Sequence, residues 1–310
     1  MKKYAFLFAL ILTTVQSMAD KLPVDSLQQD TVRTIDVEEI VVFGDPKVNK
    51  NLREQPLSVT ILSQENIRDD GITSMKNLTA LVPNIFIPDY GSKLTSAIYI
   101  RGIGSRMNTP AVGLYVDNIP YIDKSAYDFS YADIDRIDVL RGPQGTLYGR
   151  NTMGGLIRVY TKSPFNYRGT HVRLSAATYD SHNASLTHYQ HVSDKLAFSV
   201  GGFYEHAGGF FNNTLLNKKI DHIEASGGRI RTVYIPFQEL KFDLNFNYEY
   251  SDQGAYPYGL SDKKSETSIP PAYNDESGYR RGLANAGLNT EYSGTKFIFN
   301  SITGFQHLKT

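Results

Sequence analysis

The stretch that decides the fold is Ile134-Asp-Arg-Ile-Asp-Val-Leu-Arg141-Gly142-Pro143-Gln-Gly-Thr-Leu-Tyr148-Gly149-Arg-Asn-Thr-Met-Gly154-Gly155-Leu-Ile157. Its first part predicts a β-strand over 134–140, because apolar Ile137 and Val139 alternate with Asp138. Its second part is rich in glycine, which suits tight turns and the close approach of two backbones. A further strand is predicted over 156–161. The sequence therefore indicates two strands joined by a glycine-rich connection.

The glycine-rich connection does not match a nucleotide-binding loop, because no glycine in it precedes a lysine. The chain has no cysteine, which excludes a disulfide scaffold, a thiol nucleophile and a Cys-ligated metal. His188 and His191, the closest histidine pair, would point to opposite faces of a strand and could not share a metal. We therefore predict no catalytic residue, no metal site, no cofactor and no enzymatic activity.

The first nineteen residues have the pattern of a secretory signal. Lys2 and Lys3 precede the apolar run Tyr4–Leu12, and Ser17-Met18-Ala19 supplies small residues for cleavage after Ala19. The protein is therefore expected to be exported. A formal charge of zero and a pI near 7.1 argue against a nucleic-acid-binding surface.

Residues 20–53 are polar and contain proline, and they are expected to form an extended or disordered tail. Within this tail, residues 38–44 read Glu-Glu-Ile-Val-Val-Phe-Gly and predict a short strand. Two interpretations are open from these residues alone. The segment could be an edge strand of the following domain, or a docking strand that another protein pairs with.

Residues 54–163 show a mixed α/β pattern. Before the quoted stretch we expect strands over 58–62, 97–101 and 113–117 and helices over 64–69 and 75–82. Ser63 and Ser74 directly precede the two helices and can cap them, and Pro83 ends the second.

Several charged residues of this domain have two possible roles. Asp133, Asp135 and Asp138 are expected to be solvated or salt-bridged rather than catalytic. Six arginines could be ordinary surface residues; inside a polar barrel they would instead pair with inward-facing carboxylates of the barrel strands. They are Arg101, Arg106, Arg136, Arg141, Arg150 and Arg158.

Beyond Ser163 the pattern changes to long strands separated by polar turns. Seven segments are predicted, over 170–179, 184–192, 196–206, 224–235, 238–250, 281–292 and 295–308. In the fifth, Leu244 and Phe246 share one face, and Asp243 and Asn245 share the other. A soluble sandwich with one wet face would alternate in this way. The export signal, the strand length and the Tyr-rich ends favour a transmembrane β-barrel.

At this point the sequence resembles the TonB-dependent outer-membrane receptors. Glu39-Ile40-Val41-Val42 stands where that family keeps its TonB box. Tyr99-Ile100-Arg101-Gly102 and Val116-Asp117-Asn118-Ile119-Pro120-Tyr121 are similar to the family's plug motifs. The quoted stretch 134–157 is the strongest match, and Thr161-Lys162-Ser163-Pro164 resembles the junction between plug and barrel.

The resemblance implies a mixed α/β plug domain inside an antiparallel transmembrane β-barrel, which has 22 strands in the family. The residues after Ser163 suffice for only about seven strands, since each needs about 9–11 residues. We therefore expect the N-terminal part of such a receptor: a signal peptide over 1–19, the tail with its TonB box, a plug over 54–163 and an incomplete barrel over 164–310.

The resemblance also implies residue roles and partners. Glu39, Ile40, Val41 and Val42 are expected to bind TonB. Residues of the plug core and its barrel contacts are expected to be Arg101, Gly102, Asp117, Arg141, Gly142, Pro143, Gly149, Gly154 and Gly155. Loop position and polar-aromatic character suggest substrate contacts at Tyr90, Arg106, Asn108 and Tyr127.

The expected function is TonB-energised import of a scarce nutrient across the outer membrane of a Gram-negative bacterium, most simply a ferric siderophore or similar iron chelate. Partners would be TonB with its inner-membrane energising complex, outer-membrane lipid and the small-molecule chelate or vitamin. The alternatives are a truncated, non-transporting remnant or surface-binding module, and an importer of cobalamin, haem or glycan. A secreted β-sandwich enzyme would need a catalytic set that the sequence lacks.

Overall fold

The computed structural model describes residues 58–310, apart from 73, 95, 107–108, 129–132, 256–257, 260 and 263–266. Strand β1, Ser58–Leu62, leads directly into helix α1, Gln64–Asp69. A capping box starts this helix: the Ser63 hydroxyl accepts the Asn66 amide N–H at 3.3 Å, and the Asn66 side chain accepts the Ser63 N–H at 3.1 Å. The predicted strand and helix are confirmed.

The second predicted helix begins at Ser74 as expected but is divided in two. A 3-10 turn over Met75–Asn77 precedes helix α2, Leu78–Leu81. Val82 already has an extended backbone. Because a proline ring disfavours the helical conformation of the residue before it, Pro83 ends the helix one residue earlier than predicted.

Three very short strands follow: β2, Ile85–Phe86, β3, Tyr99–Ile100, and β4, Ile103–Gly104. They pair in the order β2-β3-β4. The predicted strand 97–101 is therefore reduced to two residues. Arg101 and Gly102 both have positive φ, at 52° and 80°, and form the turn that folds β4 back on β3.

The main sheet of this domain contains β5, Val112–Val116, β6, Ile119–Tyr121, β7, Ile134–Arg141, and β8, Gly155–Thr161. Its strand order is β1-β7-β8-β5-β6, with β5 and β8 parallel and the other pairs antiparallel. The glycine-rich stretch thus joins two hydrogen-bonded neighbours, β7 and β8. We call the described part of residues 58–163 the α/β domain.

The connection between β7 and β8 contains helix α3, Gly145–Tyr148, and needs its glycines for steric reasons. A Cβ atom at Gly155 would lie 2.4 Å from the Leu140 carbonyl oxygen, and one at Gly154 would lie 2.9 Å from that of Ile103. Gly142 and Gly149 have φ of 138° and 82°, a region that favours glycine. The connection packs its backbone against the neighbouring strands.

Seven long strands follow, and we call their sheet the wall. They are β9, Gly169–Ala177, β10, Ser181–Ser193, β11, Leu196–Ala207, β14, Ile223–Phe237, β15, Leu240–Gly254, β18, Gly278–Ser293, and β19, Ile298–Lys309. Two ribbons interrupt them, β12, Asn212–Asn213, with β13, Lys218–Lys219, and β16, Ser261–Asp262, with β17, Thr267–Ser268. Each wall strand pairs antiparallel with the next along the chain.

The two faces of the wall have opposite polarity. On β15, Leu244 is 50% exposed and Phe246 44% exposed, whereas Asp243, Asn245 and Glu249 are buried. A sheet in a soluble sandwich would bury its apolar face, so the soluble interpretation is wrong. Buried polar and exposed apolar residues are the pattern of a barrel strand that faces lipid outside and protein inside. No helix within the described ranges is long and apolar enough to cross a membrane.

Candidate functional site: the interface between the domains and its chamber

Asp117 stands at the centre of the polar contact between the α/β domain and the wall. It occupies a two-residue turn with Asn118 between β5 and β6, and both residues have positive φ, at 47° and 68°. Asp and Asn tolerate this backbone better than other non-glycine residues. The turn places the Asp117 carboxylate against the wall.

Buried hydrogen bonds and ion pairs surround this carboxylate. It accepts the amide N–H of Thr161 at 2.9 Å and the Thr161 hydroxyl at 2.8 Å. From the wall, Arg231 Nη1 lies 3.3 Å away, and Arg229 Nη2 also donates to it. Arg231 simultaneously grips Asp243 with two bonds, of 3.1 and 2.7 Å. We call these five residues the Asp117 cluster.

Burial alone would raise the pKa of Asp117. The opposite charges of Arg231 and Arg229, together with the Thr161 hydrogen bonds, outweigh that effect and hold the pKa of Asp117 below its ordinary value. The carboxylate is therefore ionised at neutral pH, as the ion pairs require.

The β5–β6 hairpin lies flat against β18 and β19 because glycines face it. A Cβ atom at Gly287 would lie 2.3 Å from the Ile119 side chain, and one at Gly304 would lie 3.1 Å from it. Further along, the Gln306 side-chain oxygen accepts the backbone N–H groups of Ile122 at 3.2 Å and Asp123 at 3.0 Å. The wall thus has glycines where the hairpin lies closest to it, and a glutamine side chain that accepts hydrogen bonds from the backbone just after the hairpin.

Of the two interpretations of the arginines of the α/β domain, pairing with wall carboxylates does not hold for Arg136 and Arg158. Arg136 and Arg158 both lie beside Asp138, at 2.9 and 3.0 Å, within the α/β domain itself. Asp138 is directly opposite Arg158 in the β7–β8 register, so the nearest carboxylate is a local one. Arg141 donates to the Pro83 carbonyl oxygen at 3.1 Å. The bridging arginines come instead from the wall.

A chamber of about 840 Å³ lies between the α/β domain and the wall. The segment 89–93 and Asp128 contribute from the α/β domain, and β9, β10, β11, β14 and β15 contribute from the wall. Its chemically distinctive lining residues are Lys76, Asp89, Tyr90, Lys93, Asp128, Arg173, His182, Asn183, Glu205, Phe210, Phe211, Asp221, Gln253 and Tyr258.

Lys93 and Glu205 line this chamber and belong to a cluster of charged side chains. The Lys93 ammonium is 3.0 Å from Glu205 and 4.0 Å from Glu249. Burial would lower the pKa of Lys93, but Glu249, Glu205 and Asp128 outweigh it and raise that pKa. Arg281, 1% exposed, pairs with Glu249. Lys93 therefore keeps its positive charge in this buried position.

Backbone contacts hold two loops of the α/β domain beside this cluster. Gln253 accepts the Lys93 amide N–H at 3.0 Å and donates to the Gly91 carbonyl oxygen at 3.3 Å. Arg281 donates to the carbonyl oxygens of Ser125 at 2.6 Å and Asp128 at 2.7 Å. Both loops that border the chamber are thus hydrogen-bonded to the wall.

The four predicted substrate contacts are placed differently from one another. Tyr90 lines the chamber, and the guanidinium carbon of Arg106 lies 4.5 Å from the centre of its ring. Asn108 lies outside the described residues. Tyr127 is 2% exposed and its hydroxyl donates to the Val112 carbonyl oxygen at 3.1 Å, so it belongs to the core and does not face the chamber.

The remaining predicted site residues have the following places. Glu39, Ile40, Val41 and Val42 lie outside the described residues. Residues in turns or in the β7–β8 connection and its flanks are Arg101, Gly102, Arg141, Gly142, Pro143, Gly149, Gly154 and Gly155. Sequence reasoning missed Glu205, Arg229, Arg231, Glu249 and Arg281. The sequence feature that could have indicated them is a charged residue on the polar face of a strand in which apolar and polar residues alternate.

The described residues contain no group of three or more histidine, aspartate or glutamate side chains that could hold a metal ion. The buried carboxylates Asp117, Asp138 and Glu249 face arginines and not each other. These ionised, hydrogen-bonded groups can recognise a partner by charge and hydrogen bonding.

The sheet order of the α/β domain, its polar seat on the wall and the outward apolar face together indicate membrane-barrel strands that hold an internal domain. Residues 51–156 match the family model "TonB-dependent Receptor Plug Domain". Residues 51–156 therefore belong to the plug-domain family of TonB-dependent receptors, and the chain as a whole is similar to such receptors. From here on we call the α/β domain the plug.

Individual relatives agree with this assignment. The Pesticin receptor of Yersinia pestis is 25% identical over 278 residues, which is 87% of this chain and 41% of the relative. The Vitamin B12 transporter BtuB of Vibrio vulnificus is 27% identical over 87% of this chain and 40% of the relative. The chain thus spans about two-fifths of the length of these relatives.

Solved structures show the same fold. The ferric yersiniabactin uptake receptor FyuA from Yersinia pestis superposes with a TM-score of 0.71 and 26% identity, covering 81% of this chain and 41% of that one. The open form of the Ferric-Catecholate import receptor Fiu from E. coli K12 gives a TM-score of 0.67 at 18% identity, covering 85% and 40%. The latter likeness supports the fold alone.

Proposed function

We propose that this chain acts as part of an outer-membrane receptor that imports a ferric siderophore or similar iron chelate with energy delivered by TonB. The observation that carries the proposal is the plug seated by ion pairs on the inner polar face of a wall whose outer face is apolar. This arrangement has a lipid-facing outer surface and an internal domain that is held by polar contacts and can be displaced. The name of FyuA, a ferric yersiniabactin uptake receptor, supports the substrate.

The residues have the following roles in this proposal. A chelate enters the chamber beside Tyr90 and contacts the loops that Gln253 and Arg281 attach to the wall. TonB pairs with the segment Ile40–Val42 in the periplasm, which would then act as an added β-strand. Force applied there moves the plug from its polar seat, and no covalent bond is made or broken. The signal over 1–19 directs the chain to the cell envelope.

Uptake of radioactive ferric chelates by cells tests this function. Cells that carry the receptor are expected to accumulate iron from at least one chelate when TonB is present and to lose that accumulation when TonB is deleted. Accumulation that is equal with and without TonB would contradict energised import. Binding without accumulation would favour the alternative of a non-transporting surface receptor.

Val41→Pro tests the docking strand. Proline removes the amide N–H that an added strand would pair with, so uptake is expected to fall to the level of the TonB-deficient cells. The matched control is Val48→Pro, which lies in the same tail outside residues 38–44 and should leave uptake unchanged. Equal uptake in the two variants would refute the assignment of the TonB box.

Cobalamin is the second candidate substrate, because the Vitamin B12 transporter BtuB matches 87% of this chain. Growth of a cobalamin auxotroph on limiting vitamin, with and without the receptor, separates this candidate from the iron chelate. If the vitamin rescues growth and no chelate-dependent iron uptake occurs, cobalamin becomes the preferred substrate in place of the iron chelate.

A further inference from the structure

The described residues that line the chamber carry little net positive charge. Among the described residues that line it, three cations stand against four carboxylates, which leaves one net negative charge. The cations are Lys76, Lys93 and Arg173, and the carboxylates are Asp89, Asp128, Glu205 and Asp221. A site built for a strongly anionic ligand would show the opposite balance.

Both lysines are already occupied by acidic partners. Lys76 lies 2.9 Å from Asp89 and 3.4 Å from Asp128. Lys93 faces Glu205 and Glu249, and its side chain is 8% exposed. An anion that approached either lysine would have to displace one of these carboxylates, and the displaced group would then lose its counter-charge in a poorly solvated place.

The remaining lining suits a ligand with neutral polar and apolar groups. Asp221 is engaged by the backbone N–H groups of Phe210 and Phe211, so its charge is partly satisfied within the wall. The rings of these two residues are 60% and 49% exposed. Tyr90 adds another ring and Asn183 adds a side-chain amide. Together they offer stacking surface and hydrogen bonds without net charge.

We propose that the chamber selects iron chelates of zero or positive net charge, of the trihydroxamate type, and discriminates against anionic chelates of the tricatecholate type. This inference rests on the proposed function. Three hydroxamates balance the charge of ferric iron, whereas three catecholates leave a strongly negative complex. The pairing of Lys93 with Glu205 is the feature that makes the chamber reject the anion.

The test measures TonB-dependent uptake of a ferric trihydroxamate and a ferric tricatecholate by the same cells. The unaltered receptor is expected to favour the trihydroxamate by about tenfold or more, since a single close charge interaction is worth at least that factor in a partly buried site. Glu205→Gln removes the acidic partner of Lys93 and is expected to shrink the preference about fivefold or more. Glu205→Asp keeps the charge and should retain it.

Glu224→Gln is the matched control. Glu224 lies on the neighbouring strand β14, is exposed and contacts the Tyr204 hydroxyl at 3.1 Å outside the chamber, so the preference should not change. Receptor abundance in the outer membrane is measured for each variant, and uptake is expressed per receptor.

The outcomes separate the two levels of the argument. Equal or greater uptake of the tricatecholate by the unaltered receptor, or the same effect from Glu205→Gln and Glu224→Gln, would overturn the charge inference while leaving energised import intact. Failure to take up any chelate in a TonB-dependent manner would overturn the proposed function itself.

Discussion

Asp117→Asn is the substitution that most directly probes how the plug is held. It keeps the size of the side chain and an oxygen that can accept the Thr161 N–H, but it removes the negative charge that Arg229 and Arg231 share. Breaking a buried ion pair by removing one partner costs about 3–5 kcal/mol. Arg231 keeps its two bonds to Asp243, and the Arg229 side chain is 26% exposed, so we expect the lower end, about 3 kcal/mol.

Hydrogen exchange at the Thr161 amide is the assay, because this N–H donates to Asp117 and becomes accessible when the cluster opens. A loss of about 3 kcal/mol corresponds to exchange about 150-fold faster. The control is Asp69→Asn, which removes a carboxylate that is 64% exposed and paired with Arg68 on the surface, and should change exchange little. Unchanged protection of Thr161, or an equal effect from the control, would refute the reasoning.

The effect of Asp117→Asn on stability is also expected to depend on pH. Because the pKa of Asp117 is lowered in the folded protein, its contribution to stability is complete above the pKa of the unfolded chain, about 3.9, and is lost as pH falls through the folded pKa. The difference in stability between the unaltered protein and Asp117→Asn should therefore be constant at neutral pH and shrink only in acid below about pH 4. A difference that disappears near pH 6 would implicate another group.

Two further substitutions test the seat of the plug. Arg281→Met should release the loop around Ser125 and raise its rate of hydrogen exchange, because it breaks two hydrogen bonds to backbone carbonyl groups. The control Arg280→Met changes a side chain that is 77% exposed and should leave that rate unchanged. Equal exchange rates in the two variants would contradict the role of Arg281. Gly287→Ala should lower the melting temperature through overlap with Ile119, at a cost of about 1–3 kcal/mol, and Ile119→Ala should relieve most of that cost when the two are combined. Additive effects of the pair would show that the two residues do not meet.

The strands and helix starts were predictable because they depend on local patterns. The alternation along 242–250 predicts a strand with one polar and one apolar face, whichever element packs against it. The observed strand β15 extends over Leu240–Gly254. Ser63 and its helix were predictable because both halves of the capping box lie within four residues. Such signals do not require knowledge of contacts across the fold.

The partners of the charged residues were not predictable in the same way. Asp117 and Arg231 are more than a hundred residues apart in sequence, and many carboxylates could have met that arginine. Arg158 found Asp138 because the β7–β8 register places them opposite, and that register depends on the glycine-rich connection. Tyr127 was read as a polar-aromatic loop residue, although its ring fills the core. In each case the partner or the burial of the residue was set by tertiary packing, which the residue type alone does not reveal.

The polarity of the interface between plug and wall has a functional consequence. A buried ion pair gains little net stability over an apolar contact of the same size, because the attraction must first repay desolvation. It does fix position, since Arg231 satisfies Asp117, Thr161 and Asp243 in one arrangement only. Apolar contact is present but limited, with Leu283 fully buried in the plug core and Leu308 packed against it. In the proposed function the plug stays seated until force displaces it, and such exact but modest interactions suit that role better than a large hydrophobic surface would.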